Sequence, residues 1–289
     1  MSAVFKSISR CLKAPAFLLL ALTATVTADP VLDMADSLMA AGFYDEAVTE
    51  YRRFLFFNEP GKDFAGIYSR LGYCYAYMRE YREALDAADN AALYAGNDSL
   101  ASVCRTDRAV ILAAAGEYDS AASALEAVFR KADYKSIKKR AGVLLFTTRV
   151  LQHDWSTARD ICDTLLREEY AVSDSMTALL ERAVKDRYKS PGKAELLSTF
   201  VPGTGQFYNG HWLSGLNALA LNVALGWFTV ELVSDREYVP AFLSYLFLFQ
   251  RYYNGNRGVA YEQAAEHNLR QDLFYENEIL KLIKELPSY

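Results

Sequence analysis

The chain is 289 residues long, with 52% hydrophobic residues, 23% charged residues and a formal net charge of -5. That composition excludes a disordered or collagen-like chain, and a mean hydropathy of -0.03 is too polar for a polytopic transporter. The acidic balance gives nucleic acid no claim as the main partner, and at about 150 residues per domain the length predicts two domains.

Lys6, Arg10 and Lys13 open the chain without any acidic residue before the apolar run from Ala16 to Leu22. Val26-Thr27-Ala28 then supplies residues of the kind that signal peptidase reads. Residues 1–28 are therefore expected to be a signal peptide cleaved after Ala28, with an uncleaved anchor as the other reading. Either way the following domain is expected outside the cytoplasm, in the periplasm. Cys11 precedes the apolar run, whereas a lipidated cysteine follows it, which argues against a lipoprotein. Residues 29–184 carry 18 basic and 25 acidic residues, against 10 and 11 in 185–289, so the acidity belongs to the first domain. Cys74, Cys104 and Cys162 show neither CxxC nor zinc-ligand spacing and read as small buried side chains.

An internal repeat governs 29–188. GFYDEA, REYREA, GEYDSA and HDWSTA end at Ala47, Ala84, Ala121 and Ala158, each 37 residues after the last. An aromatic stands three residues before each alanine, at Tyr44, Tyr81, Tyr118 and Trp155. The pattern predicts helix, short polar turn, helix, with the alanine at a close crossing and the aromatic beside it. Each pair leaves an apolar side that the next pair covers.

These residues resemble tetratricopeptide (TPR) repeats. The second is the clearest, with Tyr68, Leu71, Gly72, Tyr75, Ala84 and Ala91 in the family's order. The fourth is weaker, with Phe146 and Arg149 where a small residue and an aromatic are usual. The period is longer than the family's usual one, and loops such as Asn58–Asp63 absorb the extra length. The resemblance implies a protein-interaction scaffold with an inner groove. Carried over to this chain, the lining is Leu32, Asp36, Met39, Ser69, Tyr73, Tyr77, Thr106, Val110, Thr147, Val150 and Leu151. Of these, Met39, Tyr73, Tyr77, Thr106, Val110, Thr147 and Leu151 are the candidate partner-binding residues. The lining is apolar and aromatic and lacks the Lys/Asn set with which family members clamp a terminal carboxylate. Either an apolar segment of a protein partner fills it, or this chain's own later helices do. Residues 175–188 read as a capping helix.

Composition shifts at Lys189-Ser190-Pro191, opening a second domain over 189–289. Pro202-Gly203 is a turn dipeptide, with Gly205 and Asn209-Gly210 close behind. Leu213–Val233 is 21 residues, about 31 Å as a helix, and long enough for a bilayer core. Tyr238–Tyr253 is a shorter apolar return. Together they predict a membrane hairpin, which spans the bilayer, is re-entrant, or packs as a soluble core. Asn217 and Asn222 are expected to face protein. Lys189, Lys193, Arg251 and Arg257 flank one end while the Ser234–Glu237 loop carries only Arg236, so the positive-inside expectation runs against an exported first domain.

SPGKAELLSTFVPGTGQFYNG also resembles the start of a hydrophobic domain of bacterial envelope proteins, marked by SPxxA and PGxGQxYxG. The resemblance covers roughly 188–269 and singles out Pro202, Gly203, Gly205, Gln206 and Tyr208. It implies membrane association and a place in envelope biogenesis or membrane-protein insertion, with no activity to carry over.

His153, His211 and His267 stand apart from one another, and the sequence holds no HExxH, GxSxG, P-loop or Rossmann fingerprint. The run Arg130, Lys131, Lys135, Lys138, Lys139 and Arg140 reads as a solvated inter-repeat segment, with contact to anionic lipid headgroups or an acidic partner as the other reading. The expectation is an all-α protein: a TPR-like helical solenoid, then a hydrophobic helical hairpin domain. It is expected to be non-enzymatic and without cofactor, with a protein and membrane lipid as partners.

Overall fold

The computed structural model describes residues 29–61, 63–166 and 174–284, and every regular element among them is helical. The leader reading of 1–28 lies outside the described residues. The described residues divide into two compact units. One holds those up to Val184 together with those from Glu276, and the other is Lys185–Tyr275.

In the first unit the helices come in pairs: α1 (Pro30–Ala41) and α2 (Tyr44–Phe57), α3 (Phe64–Met78) and α4 (Tyr81–Leu93), α5 (Asp98–Ala115) and α6 (Tyr118–Lys131), α7 (Lys135–Leu151) and α8 (Trp155–Ile161). A π-helical turn, Cys162–Leu166, continues α8, and α9 spans Asp174–Lys185. Side chains that outcompete water for the first free N–H groups begin several of them. The Asp29 carboxylate accepts from the Val31 N–H, Asn97 Oδ1 from Leu100 and Asp154 Oδ1 from Thr157.

The 37-residue period is written in the backbone. The first helix of each pair ends in a left-handed residue, at Gly42 (φ 88°), Arg79 (68°), Gly116 (89°) and His153 (59°). At each, two N–H groups turn back onto the orphan carbonyls of the helix. Gly42 and Phe43 donate to Met39 and Leu38, Arg79 and Glu80 to Ala76 and Tyr75, Gly116 and Glu117 to Ala113 and Leu112, and His153 and Asp154 to Val150 and Arg149. The next residue is the repeat's aromatic, which starts the second helix.

Each helix of the four pairs packs on its chain neighbours, and α3, α5 and α7 also pack on one another in succession. Ala47, Ala84, Ala121 and Ala158 are fully buried. A Cβ on Gly72 in α3 would lie 3.2 Å from the Ala84 carbonyl oxygen and 3.3 Å from Ile111 Cδ1, so α3 and α4 touch at nearly backbone distance. Tyr44 stacks on Tyr77 of the following pair, centroids 4.6 Å apart. Cys74, Cys104 and Cys162 are buried thiols, and burial pushes Cys74 up to about 12, well out of the reactive range.

The second unit contains α10 (Pro191–Phe200), α11 (Thr204–Tyr208), α12 (Trp212–Ser234) and α13 (Tyr238–Leu243). A π-helical turn, Ser244–Phe249, joins α13 to α14 (Gln250–Lys284). The apolar return predicted over 238–253 is thus the start of a longer helical run. Residues from Glu276 onward in α14 belong to the first unit, where Ile279, Leu280 and Ile283 are buried. Left-handed turns at Gly210 and Arg236 repeat the device used between the pairs, with the His211 N–H donating to Gln206 and Glu237 to Leu232.

Candidate functional site

The seven groove candidates fall into two groups. Met39, Tyr73 and Tyr77 are half-buried, whereas Thr106, Val110, Thr147 and Leu151 are buried. Thr106 Oγ1 donates to the Ser102 carbonyl and Thr147 Oγ1 to Val143, so both hydroxyls are spent on their own helices. What remains accessible on this face is concentrated on α1 and α3.

Two polar chains run beneath it. Tyr51 OH donates to the Asp36 carboxylate at 2.5 Å, and the Arg70 guanidinium lies 3.4 Å from the same oxygen. Tyr73 OH donates to Asp107 Oδ1 at 2.8 Å, and Arg140 donates to that oxygen at 2.7 Å. Burial, and then the Asp107 charge, hold the Tyr73 hydroxyl well above the ordinary tyrosine range, so it stays a donor. Each chain stitches one pair's first helix to the next. Asp107 and Arg70 were not singled out from the sequence, and Arg140, read there as part of a solvated basic run, is instead mostly buried and paired with Asp107. Their partners stand 33 to 34 residues away, a spacing that no in-register comparison at 37 displays.

The PGTGQ motif is a crossing of helices at backbone distance. Gly203 has φ 98°, and a Cβ there would lie 2.3 Å from the Gly215 carbonyl oxygen. A Cβ on Gly205 would lie 2.0 Å from the Ala194 oxygen, and one on Gly215 2.5 Å from the Phe207 ring. Gln206 is fully buried; its Oε1 accepts from Ser198 Oγ at 3.0 Å and its Nε2 donates to the Asn256 carbonyl at 2.9 Å. The Gly205 N–H donates to the same Ser198 oxygen. Asn209 Nδ2 reaches the Ala260 carbonyl at 2.7 Å, where Ala194, Ala260 and Ala264 form a fully buried cluster. Tyr208 OH accepts from the Ser190 N–H, and Pro202 is half-buried in the turn. The motif thus ties α10 and α11 to carbonyls in the first third of α14. Sequence reading found its residues but not Asn256 and Ala260, fifty positions on.

α12 is the one helix among the described residues long and apolar enough to cross a membrane, by length and composition. Only 11% of its most apolar stretch is buried. Trp212, Leu213, Leu216, Val223, Trp227 and Val230 project into the surroundings. Gly215, Ala218 and Asn222 lie on its covered side, whereas Asn217, expected to face protein like Asn222, is exposed, and Thr229 Oγ1 meets Ser244 Oγ at 3.1 Å. Asn222 Nδ2 donates to its own helix at Ala218, while its Oδ1 is buried without a partner among the described residues.

No group of three or more His, Cys, Asp or Glu able to hold a metal ion occurs among the described residues. His153 Nε2 lies 2.9 Å from a Glu276 carboxylate oxygen and its ring stacks on Trp155. No family model and no curated protein matches the chain.

Proposed function

We propose that the protein is a non-enzymatic scaffold of the bacterial cell envelope. In this reading the leader exports it, the apolar hairpin of α12, α13 and the start of α14 holds it to a membrane, and the helical pairs form a TPR-like solenoid that engages a protein partner. The observation that carries the reading is α12. A helix of 23 residues is about 35 Å long, enough for the hydrocarbon core, and its large apolar side chains face outward rather than into a protein core. At the PGTGQ crossing Gln206 is turned inward, and both ends of its amide are satisfied, by Ser198 Oγ and by the Asn256 carbonyl, as an apolar solvent requires. The test is cell fractionation. The full-length protein should stay with membranes through high salt and carbonate, which strip surface-charge attachment. Protease added to spheroplasts should digest the repeat unit. Release by carbonate would refute the tether, and protection of the repeats would refute the export.

The second reading is an accessory to membrane-protein insertion or envelope assembly in which the hydrophobic unit is the working part. Asn222 favours it, since a partnerless polar atom within an apolar hairpin is a recurrent mark of function in membranes. Asn222→Leu separates the two. Retention and partner capture stay intact under both, and only the second reading loses cellular function.

A further inference from the structure

We propose that the cleft between α2, α3 and α4 docks a partner polypeptide that inserts an arginine or lysine beside a large apolar side chain. The proposal rests on the repeat unit being partner-binding, and uses neither the membrane tether nor the inner face. The cleft has a volume of about 400 Å³ and is walled by Leu55, Phe56, Tyr68, Leu71, Tyr75 and Asn90, with Arg52, Glu83 and Asp86 at its charged edges. At 100° per residue, Tyr68, Leu71 and Tyr75 lie on the side of α3 opposite Ser69, Tyr73 and Tyr77.

The repeat itself shows that something is missing there. Advancing Arg52 and Leu71 by one period gives Asp89 and Arg108, which form a 2.6 Å ion pair across α4 and α5. Advancing Arg52 and Tyr75 by two periods gives Glu126 and Arg149, which pair at 3.8 Å across α6 and α7. At both later junctions an arginine of the following helix meets a carboxylate across the gap. At the first junction neither side supplies such a pair. Arg52 instead sits over the Tyr75 ring, 5.6 Å from its centroid.

Three features point to what fills the gap. Tyr75 is buried to 6% exposure, and its hydroxyl has no partner among the described residues, an unfavourable state that an incoming polar group relieves. Glu83 and Asp86 have no cationic partner among the described residues, so the α4 wall offers two free carboxylates. Phe56 is 81% exposed and meets Phe57 edge-on, an apolar lip that solvent alone does not explain. A cation beside an apolar body matches all three: the cation meets the carboxylates, its N–H groups or backbone meet the Tyr75 hydroxyl, and the apolar part covers Phe56 and Leu55.

The experiment uses the full chain in detergent and a benzophenone-labelled nonapeptide with a central Trp-Arg pair in a Gly/Ser background. Its Trp-Glu counterpart serves as the control. Photolabelled residues are mapped by mass spectrometry. Labelling should concentrate on α2 and α4 and fall about tenfold for the Trp-Glu peptide, the scale of one charge-assisted contact. The double variant Arg52→Asp, Leu71→Arg rebuilds the pair of the second junction. It should keep its helical melting curve and lose the labelling. Should that variant fail to fold, Tyr75→Phe removes only one oxygen, and should cut labelling about threefold without lowering Tm. Equal labelling by both peptides, labelling on Tyr73 and Tyr77 instead, or labelling that survives in a folded double variant overturns the proposal. Those outcomes leave carbonate resistance and protease access untouched.

Discussion

Arg79 stands where Gly42 and Gly116 stand in the neighbouring repeats, in a left-handed conformation that a Cβ disfavours. Nothing within hydrogen-bond or ion-pair reach of its side chain compensates among the described residues. Arg79→Gly should therefore stabilise the protein by about 1 kcal/mol, and Gly116→Ala should destabilise it by about as much, read from urea unfolding. His153 occupies the same backbone state but pays its way through Glu276 and Trp155, so His153→Gly is not expected to match that gain. Asp154 holds the N-terminus of α8. Burial raises its carboxyl, but the bonds from Thr157 and Ser156 and the nearby Arg149 outweigh burial and hold it below the ordinary value of 3.8. Its contribution is therefore complete above about pH 4 and lost as pH falls further. Asp154→Ala should cost about 1 kcal/mol at neutral pH and abolish that part of the acid sensitivity. Gly205→Ala drives a methyl into the Ala194 carbonyl, and loss of the second unit's thermal transition is the expected readout.

At the scale of elements, the fully buried alanines mark where paired helices cross, and Ala84→Leu should destabilise by about 1–3 kcal/mol through overpacking. The Asp107–Arg140 pair is a different kind of joint. Arg140→Met leaves a mostly buried carboxylate unpaired and should cost about 3 kcal/mol, whereas adding Asp107→Asn to it should cost less than the sum of the two single changes. The helices, their pairing and their crossing points were legible because Ala47, Ala84, Ala121 and Ala158 recur with their aromatics at one spacing, and periodicity needs no knowledge of contacts. The inner lining was legible only in part. A helical wheel tells which way Thr106 and Thr147 point, but not that α5 and α7 stand close enough to bury them. Gln206 was visible as a motif residue. Its acceptor is a main-chain carbonyl of Asn256, and carbonyls leave no trace in a sequence.

For the molecule as a whole, the proposed membrane tether can be tested on α12 alone. Val223 sits midway along α12 and is exposed, so an arginine there disturbs no packing in the protein. Val223→Arg should nevertheless cost about 2.5–3.5 kcal/mol of insertion at the centre of a bilayer, seen as release of the chain by carbonate. If the full-length protein were soluble without detergent, the same substitution would be silent, which separates a lipid-facing helix from a merely exposed one.

The left-handed joints at 42, 79, 116 and 153 have a mechanical corollary. Each pair is closed by the same local turn and leans chiefly on the pairs beside it, and of the four joints it is the last, at His153, that is also tied to a distant part of the chain, Glu276 of α14. Stretched between its ends, it should yield as a staircase rather than in one rupture, each tread releasing one repeat of 37 residues, or about 130 Å of contour. An array built this way lengthens under load by discrete, recoverable amounts. The Asp107–Arg140 joint should make the tread between the third and fourth repeats the one that needs the greatest force.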